Sequence, residues 1–379
     1  MERYAGSDEV ERRDLVIVGG GPAGTGTALA LEQLDPSLAR RALLLDRAVF
    51  PRDKTCAGGL IPRTIDLLRE LGLALEVPAV RVDRARVTIG RKPVEIDSEG
   101  CCWIVRRREF DNMLLGAARS RGVEVREGVK VESLERAAGL IRLRTSHGEI
   151  EARAVVGADG AGSLVRRALV DARPGALARA VMCDVRATPA PGRTTFEFDF
   201  RGVRRGLAGY AWSFPCLIGG EPYANRGVYS LNRRGEGGRL AEALDELAGP
   251  GPWPRKAHPI RFYDRHARLA APGVLLVGDA AGVDPLLGEG ISLGLEYGQI
   301  AAQAIRQGFT RADLGFADYT RAVASSAMGR KLARLALAAR LFYGPASRVF
   351  LGAAQLSRRV QKYSMDWYNG VEYRPNRSS

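Results

Sequence analysis

In the first half of the chain, apolar positions come in short runs that end at glycines or acids. Leu15–Val18 is such a run, followed by the glycines of VGGGPAG and the helically spaced ALALEQL. This order predicts a buried strand, a tight turn and a helix. ALLLDR predicts a second buried strand, ending at Asp46. AVVGADGAGS and GVLLVGDAAG predict two further strand–turn segments, closing at Asp159-Gly160 and Gly278-Asp279, with a long helix beginning near Gly290. Between these runs the pattern changes. Residues 81–100 alternate apolar and polar, which predicts half-buried sheet, and 171–267, including RTTFEFDFRG and ANRGVYSLNRR, are expected to supply the rest of that lobe. LAGPGPWPRKAHP predicts a loop. Helical spacing returns near residue 325, where Met328, Leu332, Leu335, Ala339 and Phe342 share one face. Leu337 and Leu341 fall beside Arg330 and Arg334, so this helix has either two packed faces or one that meets an interface.

These elements predict a two-lobed α/β (α+β) chain. Residues 10–80, 101–170 and 268–315 would form a discontinuous Rossmann-type domain, and 81–100 with 171–267 a β-sheet substrate domain. Residues 316–379 would form a basic helical C-terminal region.

Charge adds one asymmetry. The chain of 379 residues carries a formal +14, and residues 316–379 hold 11 Lys/Arg against 3 Asp/Glu. Such a tail suits an anionic membrane face; with no zinc-finger, RNA-binding or basic-arm signature, nucleic acid is not an expected partner. Five cysteines without framework spacing argue for a reducing compartment, and three histidines without ligand spacing give no metal site. A charged N-terminal stretch and the lack of a membrane-length apolar run point to the cytoplasm, with peripheral contact on the inner membrane face.

The chemistry starts at the first turn. Gly19, Gly21 and Gly24 form G-x-G-x-x-G between strand and helix, with Pro22 and Ala23 opening the helix. Backbone N–H groups and the helix N-terminus can there approach a pyrophosphate, while Asp46, followed by Arg47, is placed for ribose hydroxyls. Asp279 can reach a ribityl hydroxyl. The helix start at Gly288, Gly290 and Ile291 can direct N–H groups at the flavin N1/O2 edge, where reduced flavin is negative. The dinucleotide is therefore expected to be FAD.

This ordered set resembles the para-hydroxybenzoate-hydroxylase-like flavoproteins, with a glutathione-reductase-type FAD domain. The resemblance spans most of residues 13–310. It implies that Arg107, in R-x-x-F-D, contacts FAD, that the backbone at Val131 meets adenine, and that Asp159 and Gly160 belong to the cofactor site. A second G-x-G-x-x-G is absent, so reductant is expected from visiting NAD(P)H or a reduced redox protein.

Within that superfamily PRDKTCAGGL resembles the geranylgeranyl reductase family. Its P-x-x-K-x-C-(G/A)-G-x-L pattern falls on Pro51, Lys54, Cys56, Ala57, Gly58 and Leu60, and Y-x-W-x-F-P on Tyr210, Trp212, Phe214 and Pro215. The resemblance implies that Ala57, Gly58 and Gly59 pass close to the isoalloxazine, with Cys56 at its reactive face. It further implies a C=C-saturating reductase for an isoprenoid, prenyl lipid or prenylated quinone. Tyr210, Trp212 and Phe214 would then wall an apolar slot and stabilise developing positive charge. From the residues alone, the three aromatics also fit a core stripe, Cys56 a small buried residue, and Lys54 a solvated charge. A monooxygenase, a halogenase and an electron relay to a membrane quinone are the alternatives, and two departures from the family pattern bear on the prenyl substrate. Cys216 stands where such reductases commonly carry a basic residue, and GDAAGVDPLLGEGI is one residue shorter before its proline.

Overall fold

The computed structural model describes residues 10–344, apart from 91–92, 174, 189–191, 193 and 232–236, together with residue 347. The chain enters through β1 (Glu11–Val18), α1 (Pro22–Leu34) and β2 (Ala42–Asp46). β3 (Gly59–Leu60), β4 (Ala79–Thr88), β5 (Pro93–Val105), α2 (Arg107–Ser120) and β6 (Glu124–Glu127) come next. A meander of β7 (Val131–Ala137), β8 (Leu140–Thr145) and β9 (Gly148–Gly157) precedes β10 (Leu177–Arg186) and β11 (Thr195–Asp199). Then come β12 (Gly209–Ile218), β13 (Glu221–Ser230) and β14 (Lys256–Arg261). β15 (Ala270–Ala271), β16 (Val274–Leu276), α3 (Ile291–Arg311) and α4 (Ala327–Phe342) complete the principal elements.

The first sheet has the order β15-β16-β9-β1-β2-β6, with β7 and β8 continuing from β9 as an antiparallel meander. β16, β9, β1, β2 and β6 run parallel. Parallel strands covered on both faces read as continuous apolar runs, and Leu15, Val16, Ile17 and Leu43–Leu45 are buried. Register aligns the strand ends. Val18 lies opposite Leu45 and Gly157, and Gly157 opposite Leu276. The turns leaving β1, β2, β9 and β16 therefore open along one edge, where doubly wound sheets bind ligands.

The second sheet has the order β14-β10-β13-β12-β11-β4-β5-β3 and is antiparallel except at β11–β4. Along β12 the alternation expected from the sequence is present: Tyr210, Trp212, Phe214 and Cys216 are buried, and the residues between them only partly so. β5 runs to Val105 within this sheet, so the boundary expected at 100/101 falls inside a strand. α4 buries Met328, Leu332, Leu335 and Ala339, while Leu337 is 60% exposed between exposed Arg334 and Arg340. No helix among the described residues is long and apolar enough to cross a membrane. Most of the basic tail lies outside the described residues.

Candidate active site

Between the two sheets lies a cavity of about 950 Å³. Of the site residues expected from the sequence, all but Gly24 line it. The glycine turn contributes Gly19, Gly21, Pro22 and Ala23; the end of β2 contributes Asp46 and Arg47. Gly24 acts instead through packing: a Cβ there would stand 1.8 Å from the Gly19 carbonyl oxygen, so only glycine lets α1 start this close to the turn.

Asp46 ties the turn together. Its carboxylate accepts from Gly20 N at 2.8 Å and from Ala48 N at 2.8 Å. Asp159 similarly accepts from Leu164 N at 2.6 Å and Val165 N at 3.1 Å through one oxygen. Its other oxygen is buried without a protein partner, and burial raises its pKa. Val131 and Gly160 join this end of the cavity.

Arg107 makes a bidentate pair with Asp111, at 2.6 and 2.8 Å, on the first turns of α2. Burial opposes its charge, but Asp111 and the Cys56 sulfur outweigh that and hold its pKa above the ordinary arginine value. Asp111 is fully buried and also pairs with Arg52 at 3.2 Å. Arg52 was not singled out from the sequence. Its Nη1 is buried without a protein partner, and its Nη2 stands 3.8 Å from where a Gly21 Cβ would be. An orphaned guanidinium nitrogen over a glycine turn and a helix N-terminus suits the pyrophosphate of a dinucleotide. The residues present fit FAD.

Cys56, Ala57, Gly58 and Gly59 form the next part of the lining. Gly58 has φ +78, and a Cβ on it would meet the Val105 carbonyl oxygen at 1.9 Å. The Cys56 sulfur accepts from Gly58 N at 3.4 Å. Opposite them, Asp279, Gly288, Gly290 and Ile291 close the cavity at the start of α3. Burial raises the Asp279 pKa, against the pull of Lys54 and Arg107.

The far wall is aromatic. Tyr210, Trp212 and Phe214 face the cavity from β12, joined by Phe198 of β11 and Tyr229 of β13. Phe198 packs 5.4 Å from Tyr210 and 5.3 Å from Phe214 between ring centroids. Trp212 lies across from Gly227, where a Cβ would stand 2.1 Å from the indole, so glycine makes room for the ring. The indole N–H donates to Asn225 at 2.9 Å, Asn225 donates to Asp184 at 2.8 Å, and Arg106 holds Asp184 bidentately. Arg106 also comes within 4.0 Å of the Cys216 sulfur. Positive charge thus reaches the position after Phe-Pro, from the residue that precedes α2. The Tyr210, Tyr229 and Tyr343 hydroxyls donate to the carbonyls of Leu287, Pro285 and Leu286 respectively, fixing the loop before α3.

Lys54 is not a solvated loop charge. Its Nζ lies 2.7 Å from His258 Nε2 of β14, and both line the cavity. Alternation along β11 marks Phe198; Tyr229 and His258 have no local signal, because strand register alone brings them opposite Tyr210 and Ala180 and into the cavity.

Comparison with known proteins agrees with this geometry. Residues 12–198 match the sequence profile of a family described as FAD binding domain. The menaquinone reductase of Mycobacterium tuberculosis is 30% identical over 317 residues, covering 77% of this chain and 76% of that protein. The chain belongs to the geranylgeranyl reductase family of FAD-dependent oxidoreductases. A chloroplastic geranylgeranyl diphosphate reductase of Arabidopsis thaliana is 29% identical over 324 residues, covering 78% of this chain and 66% of that one. In fold, a geranylgeranyl bacteriochlorophyll reductase-like protein of Thermoplasma acidophilum superposes with TM-score 0.75 at 20% identity, over 94% of this chain and 96% of that chain. Like its family, this chain is an FAD-dependent oxidoreductase.

Proposed function

We propose that the protein saturates carbon–carbon double bonds of an isoprenoid, most directly the side chain of a prenylated quinone or a related prenyl lipid. The observation that carries this reading is the buried aromatic wall of Phe198, Tyr210, Trp212, Phe214 and Tyr229 facing the flavin-binding residues across one cavity. An isolated alkene offers no polar handle, so its site must be apolar, must exclude water and must tolerate transient positive charge; aromatic faces do all three. The names of the mycobacterial and plant relatives point to the same substrate class.

Within this reading FAD supplies hydride when bound and reduced. The chain's own residues do the rest. Arg52, Arg107 and the glycine turn hold the dinucleotide; Ala57, Gly58 and Gly59 bring backbone close to the flavin ring; and Cys56, Tyr210, Trp212 and Phe214 line the reacting space. The cofactor lobe is assigned to residues 10–78, 106–170 and 268–315 and the substrate lobe to 79–105 and 171–267, which moves the expected boundaries so that β4 and β5 stay whole in the second sheet. Reductant is an external NAD(P)H or a reduced redox protein. The exposed Leu337 between arginines on α4 adds a peripheral contact with anionic lipid.

The test is mass spectrometry after anaerobic turnover with prenylated quinones and lipid extracts, followed by air oxidation. Saturation of the chain leaves two added hydrogens that survive air, whereas reduction of the quinone ring alone reverses. Gain of oxygen or halogen instead would assign the site to a monooxygenase or halogenase.

A further inference from the structure

The loop carrying Cys56 is fastened to the second sheet by two pairs of side chains. Asp53 pairs with Lys256, an ordinary ion pair that by itself ties the loop to β14. Beside it, Lys54 and His258 are joined at 2.7 Å inside the cavity. Two groups that are both cationic when protonated share a hydrogen bond only if one of them is neutral. Here His258 is the neutral one: burial, then Lys54 and Arg107, hold its imidazole down to about 3. It accepts from the Lys54 ammonium.

The choice of acceptor has a chemical consequence. A carboxylate would hold the ammonium as firmly, but its charge would make the ammonium a weaker acid. A neutral imidazole orients the same N–H group without that effect. Burial and then Arg107 push Lys54 down to about 8, against Asp279, Cys56 and Asp111. These groups come from every side. Arg107 and Asp111 lie on α2, Asp279 follows β16, Cys56 and Asp53 share the loop, and His258 and Lys256 lie on β14, with Arg47 acting on His258 from the end of β2.

We propose that Lys54 is the proton donor of the site and that His258 is its positioning residue. The inference rests on the reductase reading above. In the step, the substrate π bond breaks and one carbon takes hydride, with both electrons, from flavin reduced by the external donor. The other carbon takes a proton from the Lys54 ammonium, whose N–H bond breaks to leave a neutral amine that regains its proton from water. The substrate gains two hydrogens, and both electrons it takes would be those the external donor had delivered to the bound flavin.

The test uses the holoenzyme with Lys54→Gln and His258→Asp variants. Trace acetic anhydride labelling across pH, read at the Lys54 peptide by mass spectrometry, reports the amine directly, without turnover. Half-labelling is expected near the value of about 8 in wild type and higher in His258→Asp. Because the donor must be protonated, anaerobic hydrogenation should fall as pH rises through that midpoint, and the fall should move up with it in His258→Asp. Lys54→Gln should keep FAD and lose roughly 10²–10⁴-fold in hydrogenation rate. A rate within about threefold of wild type in Lys54→Gln, loss of FAD in that variant, or a wild-type labelling midpoint near that of a free lysine, about 10.4, would each overturn the proposal while leaving the reductase reading in place. Wild-type enzyme that leaves no hydrogenated product would overturn both.

Discussion

The two ends of the cavity are built from different materials. At the dinucleotide end the structure is backbone and charge: the glycine turn, the carboxylates of Asp46 and Asp159, and Arg52 and Arg107 joined behind the lining by buried Asp111. At the end proposed for substrate it is aromatic side chain, carried on adjacent strands of one sheet and fixed from behind by Asn225, Asp184 and Arg106. The first end needs close approach and matched charge, so small changes there should abolish binding. The second needs shape and polarizability, so changes there should tune a rate while the cofactor stays in place.

Gly24→Val tests the first half of that contrast and should have the largest effect. A side chain begins 1.8 Å from the Gly19 carbonyl oxygen, so the turn or the helix must move. The purified variant should lack the flavin absorbance of wild type; full FAD occupancy would break the distinction between the ends.

Trp212→Ala tests the second half. It should bind FAD as wild type does and slow substrate-dependent flavin reoxidation by several-fold to about thirtyfold, the worth of one cation–π face. Cys56→Ala should behave in the same direction. Both must be measured anaerobically, since oxygen reoxidises flavin without these residues. Loss of FAD in either would place that residue in the cofactor machinery instead.

The smallest effect belongs to the periphery. Anionic vesicles should sediment more of the protein than neutral ones, less so as salt rises, and Leu337→Asp should weaken that binding while leaving FAD content unchanged. Equal, negligible sedimentation with both lipids would leave α4 as a packing helix alone.

The dinucleotide end was legible in the sequence because its requirements are local. A parallel strand, a tight turn and a helix start need particular residues at fixed spacing, and Gly19–Gly24, Asp46 and Asp279 show them. The wall was partly legible, since a strand's period of two places Tyr210, Trp212 and Phe214 on one face. What escaped depends on register between distant segments. Lys54 meets His258 across 204 positions, Arg106 reaches Cys216 across 110, and Tyr343 caps a carbonyl 57 residues away. No local pattern encodes those meetings. They arise only once β14 has paired with β10 and α4 has packed beside the loop before α3.

The most direct measurement is an anaerobic single turnover in which reduced enzyme meets one equivalent of a prenylated quinone. The account predicts that flavin reoxidation proceeds with formation of one side-chain-saturated product per flavin, two hydrogens heavier after air oxidation, and that both slow together in Trp212→Ala. Flavin reoxidation that yields only quinol, with every double bond of the side chain intact, would contradict it.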